Sequence, residues 1–326
     1  MFLSVVIPAF NEEKRLPGTL KKIKTYLEKQ SYDWEVLVVN DGSKDRTGEV
    51  IGELIEHFNR SPSVAQRHRL SPTQRVRAAY ALGLDSASRN LASRPARVAL
   101  RAHGLASEPN GTFRLIDNKE NHGKGAVVKQ GMLEAKGDWR LYMDADNSTD
   151  LSEIEKLWKF ANPKSENGYK KTENSMENGK LKTDFQFPNK FPISSNRFPS
   201  FEIIAGSRYL KKDSIKIKQP LIRRIVSRVG NILIRILLGI HSADTQCGFK
   251  LFSAKATKEI FPLQTMERWG AEMEVWTIAI KKGYKIKEVA VDWYDAKGST
   301  VRKSAAFKTL KELMIIKWNL MRGKYS

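Results

Sequence analysis

Two apolar runs near the N-terminus, Leu3-Ser-Val-Val-Ile7 closed by Pro8 and Glu35-Val-Leu-Val-Val39, constrain the fold of this chain most. Each is short, rich in β-branched residues and apolar at consecutive positions, the pattern of a strand covered on both faces of a parallel sheet. Between them Leu16, Leu20, Ile23 and Leu27 recur at three- and four-residue spacing, which places them on one side of a helix. Asp45 to Phe58 carries a second amphipathic pattern. Strand, helix, strand, helix from the first residue predicts an α/β fold: a doubly wound, Rossmann-like half with a mostly parallel sheet flanked by helices. Ligands of such sheets bind beyond the carboxyl ends of the strands, where Asn11, Glu12 and Asp41 fall.

The pattern continues after two interruptions. From Ser61 to about Gly111 lysine vanishes and arginine recurs at 67, 69, 75, 77, 89, 94, 97 and 101, without a lasting apolar period. That segment reads as a solvated basic insertion or as an arginine-rich arm for an anionic surface. Thr112 to Ile116 is a third strand, and Ala126 to Ala135 a helix preceded by Asn121-His-Gly-Lys-Gly125. Glycines flanking Lys124 at a helix N-terminus let backbone N–H groups approach a phosphate, with the ammonium beside it; a simple turn has the same composition. Residues 162 to 199, rich in Asn, Lys, Ser and Pro, read as a flexible loop. Phe201 to Arg208 restores a strand whose last residue is placed to meet an anion.

Leu141-Tyr-Met143 has strand length and ends in Asp144-Ala-Asp146-Asn-Ser-Thr149. Two carboxylates at the tip of a buried strand repel each other unless a cation lies between them, and hard oxygen donors select Mg²⁺ or Mn²⁺. The same residues also suit a surface turn in which the aspartates merely cap the next stretch of chain.

Lys plus Arg number 57 against 36 Asp plus Glu, a formal charge of +21, which predicts attraction to nucleic acid, anionic lipid or phosphorylated substrates. The single cysteine, Cys247, excludes an intrachain disulfide and a Cys-rich zinc site. The apolar run after Met1 is too short for a signal peptide, and no later run reaches the roughly 20 apolar residues of a spanning helix. The expectation is a protein that lies on a bilayer without crossing it. Two segments suit that position. After Pro220, Arg223, Arg224, Ser227, Arg228, Asn231 and Arg235 share one helical sector opposite Ile225, Val226, Val229, Ile232, Leu233, Ile236 and Leu237. Near the C-terminus, Phe307, Leu310, Met314, Trp318 and Met321 oppose Lys308, Lys311, Glu312 and Arg322. Either pattern also fits a core helix.

Seven collinear pieces resemble the family 2 glycosyltransferases of GT-A fold, and within them the dolichyl-phosphate β-glucosyltransferases: VVIPAFNEEKRLP, VLVVNDGSKDRTG, NHGKGAVVKQGM, MDADNST, AGSRY, DTQCGFKLF and ERWGAEMEV. Polyprenyl-phosphate mannose synthases share many of them. The resemblance implies a GT-A domain over residues 1–304, with the insertion at about 61–111 outside the family pattern, and a C-terminal amphipathic helix over 305–326. It implies that Pro8, Phe10, Asn11, Glu12 and Asp41 cradle a nucleoside, and that Asp144 and Asp146 hold Mg²⁺ or Mn²⁺ against a diphosphate. Ser148 stands where mannose synthases place a Gln that completes the metal site. Arg208, with Arg223 or Arg224, corresponds to arginines facing acceptor or donor phosphates; Asp244 and Gln246 correspond to the acceptor-side loop, and Glu272 to a position often Asp.

The implied partners are a nucleotide sugar, UDP-glucose first and GDP-mannose second, a polyprenyl phosphate and a membrane surface. The implied place is the cytoplasmic face of a membrane, of the endoplasmic reticulum in a eukaryote or the inner membrane in a prokaryote. A nucleic-acid-binding module on an inactive sugar-nucleotide scaffold is the alternative of another class, but no RNP-like, zinc-finger or helix-turn-helix signature supports it, so no nucleic acid is expected. A dehydrogenase is disfavoured because no Gly-x-Gly-x-x-Gly follows the first strand.

Overall fold

The computed structural model describes residues 1–60, 111–161, 201–211, 214, 233–294 and 305–325, with backbone alone for 305–309. The arginine-rich segment up to residue 110, the loop at 162–199, and Arg223, Arg224 and Arg228 lie outside the described residues.

The predicted alternation is present: β1 (Phe2–Ala9), α1 (Leu16–Leu27), β2 (Asp33–Asp41), α2 (Thr47–Arg60), β3 (Gly111–Asn118), α3 (Lys124–Glu134), β4 (Trp139–Met143) and α4 (Ile154–Ala161). Next come β5 (Ile203–Ser207), β6 (Phe249–Ser253), α5 (Ala254–Ile260), α6 (Ala271–Lys281), β7 (Ile286–Ala290) and α7 (Ala305–Met321). The described strands form one sheet in the order β3-β2-β1-β4-β6-β5-β7, and among them only β6 runs against the others. β6, α5, α6 and β7 were not foreseen, because charged residues such as Lys250, Glu272 and Glu274 interrupt their apolar runs.

Consecutive apolar positions in β1 serve opposite layers. Leu3, Val5 and Ile7 join Val36, Val38 and the inner faces of α1, α2 and α4, while Val6 joins Leu37, Val39 and residues of α3 and α6. Each such fully buried side chain contributes about 1.5–3 kcal/mol of transfer free energy, which explains why the strands carry so few polar residues. Helix α7, set apart on sequence grounds, contributes Leu313 and Ile316 to the second layer, and Tyr325 just beyond it does the same.

The amphipathic faces differ in detail from expectation. In the helical stretch 233–238, Ile234 and Leu238 are buried whereas Leu233 and Ile236 are exposed. On α7 the stripe Leu310, Met314, Trp318 and Met321 is exposed, and Glu312, expected on a solvated face, instead accepts a hydrogen bond from Gly270 N–H at 2.7 Å. No helix among the described residues is long and apolar enough to cross a membrane.

Candidate active site

The strand order reverses between β1 and β4, the crevice where open α/β sheets take their ligands. Phe10 to Glu12 leave β1 on one side of this switch point, and Asp144 to Asp146 leave β4 on the other. Because β6 is antiparallel, its first residue, Phe249, pairs with Met143 at the end of β4. That register brings the 244–248 loop to the same edge of the sheet. Arg208, immediately after β5, lies there too.

Three sequence-predicted residues meet directly. Lys124 Nζ stands 2.8 Å from Asp144 Oδ1 and 3.0 Å from Glu272 Oε1, and 5.8 Å from the centre of the half-exposed Trp269 ring. Burial would lower the Lys124 pKa, but Asp144 and Glu272 outweigh it and raise it, so the ammonium stays charged. Burial pushes the Asp144 carboxyl up, with Asp146 and Glu272 adding to the rise against the pull of Lys124. Burial acts on Glu272 in the same sense, yet Lys124 and Lys250 overcome it and hold that carboxyl at about 2.

Lys250 was missed from the sequence. Its side chain is 1 % exposed, its Nζ lies 3.0 Å from Glu272 Oε2, and it also donates to the Cys247 carbonyl. A lysine inside the apolar run Phe249-Lys-Leu-Phe252 was the available signal, since such a charge is buried only when paired. Cys247 itself is buried, and burial raises its thiol pKa to about 12, which keeps it protonated and unreactive.

Asp144 reaches this cluster because Gly248 leaves room. A Cβ at Gly248 would lie 2.1 Å from Asp144 Oδ2, and the Asp144 N–H donates to the Gly248 carbonyl at 3.1 Å. Asp146 Oδ1 accepts from Ser148 N–H at 2.9 Å. Buried Ser148 carries no carboxylate or amide, and among the described residues no three His, Cys, Asp or Glu side chains form a metal cage. Two carboxylates on one turn are hard oxygen donors of the kind that suits Mg²⁺ or Mn²⁺, and the first of them already has the Lys124 ammonium at 2.8 Å.

A second pair lies beside the first. Arg208 makes a bidentate contact with Asp244, at 2.7 Å from Nε and 2.8 Å from Nη2, and its backbone N–H donates to the same carboxylate at 3.0 Å. Burial would lower the Arg208 pKa and Asp244 raises it by more, so the guanidinium stays charged. Glu288 builds the loop that presents Asp244, accepting from Ser242 Oγ at 2.8 Å and from Asp244 N–H at 3.0 Å. Gln246 N–H donates to Asp244 Oδ1 at 3.2 Å, while its buried Nε2 has no acceptor among the described residues.

The β1 side is ordered differently from the rest. Pro8 is buried at the strand end and Phe10 is exposed. Asn11, at a left-handed φ of 55°, accepts from Lys44 N–H at 2.8 Å. Glu12 holds Arg15 in a bidentate pair; burial raises its carboxyl pKa despite Arg15, and Asp146 adds to the rise. Asp41, 3 % exposed, accepts from His122 N–H at 2.7 Å, Gly123 N–H at 2.9 Å and Asn121 Nδ2 at 2.9 Å. Both of its oxygens therefore bind the loop before α3. The glycines around Lys124 also face protein: a Cβ at Gly123 would lie 2.6 Å from the Glu267 carbonyl and one at Gly125 2.3 Å from Ala271 Cβ. They admit the 267–271 segment that carries Trp269, a use the expected phosphate cradle did not anticipate.

This architecture is that of a GT-A glycosyltransferase. It resembles mannosyl-3-phosphoglycerate synthase from Rubrobacter xylanophilus, at TM-score 0.52 and 12% identity, over 99% of this chain and 75% of that one. It also resembles glucosyl-3-phosphoglycerate synthase from Mycobacterium tuberculosis in complex with Mn²⁺, UDP and glucosyl-3-phosphoglycerate, at TM-score 0.51 and 14% identity, over 97% of this chain and 80% of that one. The sequence matches Glycosyl transferase family 2 over residues 4–88 and 100–178, and the chain belongs to that family. The matched ranges include residues 61–88 and 100–110 of the arginine-rich segment. Among curated relatives, dolichyl-phosphate beta-glucosyltransferase ALG5D of Trichomonas vaginalis is 30% identical over 97% of this chain and 73% of its own length. The dolichyl-phosphate beta-glucosyltransferases of Saccharomyces cerevisiae and Homo sapiens are each 27% identical, over 100% and 99% of this chain and 77% of their own lengths.

Proposed function

We propose that this chain moves glucose from UDP-glucose to the phosphate of a dolichyl-type polyprenyl lipid at a membrane surface, inverting the anomeric centre to give a β-linked lipid-phosphate sugar. The observation that carries the reading is the convergence of Lys124, Asp144 and Glu272, with Asp146 alongside, at the switch point of the sheet. The names of the aligned relatives support the choice of sugar and acceptor.

Asp144 and Asp146 would hold Mg²⁺ or Mn²⁺, which supplies Lewis-acid neutralisation of the departing nucleoside diphosphate. Lys124 adds a fixed positive charge there, and Glu272 with Lys250 keeps the ammonium aimed at the site. Pro8, Phe10, Asn11 and Glu12 form the wall for the nucleoside, and Asp41 orders the loop opposite by binding residues 121–123. As the bond from the anomeric carbon to the diphosphate oxygen breaks, an acceptor phosphate oxygen forms the new bond from the opposite face. A phosphate monoester is already ionised near neutral pH, so no general base is required. Arg208, oriented by Asp244 and followed in the site by Gln246, steers that anion. The exposed stripe on α7 and the lysines around it suit a helix seated on an anionic leaflet at its cytoplasmic face.

Incubation of the full chain with radiolabelled UDP-glucose or GDP-mannose, and with dolichyl or undecaprenyl phosphate, tests this reading. The expected result is metal-dependent glucose transfer to a polyprenyl phosphate. Transfer of mannose alone would move the donor assignment to GDP-mannose, and transfer from neither donor would overturn the reading.

A further inference from the structure

Helix α7 has two employments on two sides. Its outer side carries Leu310, Met314, Trp318 and Met321, between 41 % and 66 % exposed. Its inner side does more than fill the core. Glu312 Oε2 accepts from Gly270 N–H at 2.7 Å, at the residue that opens α6, so a carboxylate caps the positive end of the helix that bears Glu272 in its first turn. The approach is close: a Cβ on Gly270 would stand 2.8 Å from Glu312 Cβ.

A second tie lies further along. Tyr325, fully buried, donates from its hydroxyl to Glu274 Oε1 at 2.7 Å. Glu274, itself fully buried, accepts in turn from Thr265 N–H at 2.7 Å, Thr265 Oγ1 at 2.7 Å and Met266 N–H at 2.6 Å. Asn319 Nδ2 adds a longer contact of 3.5 Å to Thr265 Oγ1. The segment from Thr265 to Glu272 is therefore clasped from behind by α7 and the turn after it. That segment also places Trp269 over Lys124 and Glu272 against it, on the side facing the switch point.

We propose that Glu312 and Tyr325 are positioning residues for glycosyl transfer: by fixing residues 265–272 they set the place of the Lys124 ammonium relative to Asp144. Neither touches a reacting group. The inference rests on the functional reading above, because it concerns the same reaction centre. An error of about 1 Å in a charged group costs roughly a hundredfold in rate, so a clasp this far from the chemistry still has leverage.

The test compares full-length wild type with Glu312→Ala, Glu312→Gln and Tyr325→Phe by steady-state sugar transfer, and by hydrogen–deuterium exchange over residues 264–272. For Glu312→Ala and for Tyr325→Phe, kcat should fall roughly tenfold or more. The KM for polyprenyl phosphate should stay within about twofold of wild type, because Arg208 and Asp244 lie outside the clasp. Deuterium uptake should rise across 264–272 while β1 and β2 stay protected. Glu312→Gln, whose amide oxygen still accepts from Gly270 N–H, should recover most of the rate. Tyr325→Phe removes one oxygen and leaves the packing, so it reports even if Glu312→Ala folds poorly. Uptake that rises with kcat unchanged, or uptake that does not rise, would overturn the inference. A wild-type protein inert toward every donor would instead overturn the functional reading.

Discussion

Lys124 Nζ lies 2.8 Å from Asp144 Oδ1, so the strand-tip aspartate already has a cation partner drawn from a helix start 20 residues earlier in the chain. The ammonium is shared with Glu272 and cannot leave the site without exposing two carboxylates to each other. Replacing it by Met, which keeps the bulk, should lower kcat/KM for the nucleotide sugar by about 10²- to 10³-fold, the usual cost of losing one preorganised charge at a developing anion. Steady-state kinetics at saturating metal measure it, with a wild-type circular dichroism spectrum as the control.

Gly248 makes the opposite kind of contribution, through the atom it lacks. In Gly248→Ala the new methyl would stand 2.1 Å from Asp144 Oδ2, so either the carboxylate rotates or the 244–248 loop withdraws. Both outcomes disturb the same centre. The expected result is a loss of transfer of at least about tenfold with a far smaller change in thermal stability, read by parallel kinetics and thermal unfolding.

Glu272 contributes to the acid limb of stability, alongside Asp45, Asp117 and Asp150, whose carboxyls are also held below their ordinary values. In the unfolded chain the Glu272 carboxyl titrates near 4.3, and in the folded protein Lys124 and Lys250 hold it at about 2. The unfolded state therefore takes up the proton first as the pH falls. The stabilisation is complete above about pH 5 and is lost between about 4.5 and 2; it amounts to about 3 kcal/mol, part of which Asp144 offsets because its carboxyl is shifted upward. Lys250→Met should cost about 3 kcal/mol at pH 7 by stripping a buried partner from Glu272, and should flatten this acid limb. Urea unfolding from pH 7 to pH 3 measures both.

The exposed side of α7 predicts surface attachment. Joint replacement of Trp318 and Met321 by Ser removes the two most exposed large side chains of that stripe and should weaken binding to vesicles containing anionic lipid. Flotation of wild type and variant through a density gradient measures this, and equal recovery of the two with the vesicles would count against an interfacial role for the helix.

Much of this was legible in the sequence for identifiable reasons. β1, β2, α1 and α2 announce themselves because a strand covered on both faces must be apolar at consecutive positions, whereas a helix covered on one side must repeat. Asp144 and Asp146 were visible as charges at the abrupt end of such a strand. The contact of Lys124 with Glu272 was not, because it spans 148 positions and depends on α3 and α6 lying on the same face of the sheet. The antiparallel β6 was hidden by Lys250, whose charge reads as exposed until Glu272 is placed beside it. The orientation of α7 was obscured by Glu312, a charged residue that turns inward to cap α6. In each case local pattern was overridden by a partner far away in the chain.

If a dication held by Asp144 and Asp146 joins the protein to a nucleotide diphosphate, the affinity for UDP, measured by calorimetry with Mn²⁺ and with EDTA, depends on both carboxylates. Mn²⁺ should tighten UDP binding at least about tenfold in the wild type, an increment that Asp146→Asn should lose. Equal UDP affinity with and without the metal, or an Asp146→Asn protein that keeps the full increment, would contradict the bridging dication.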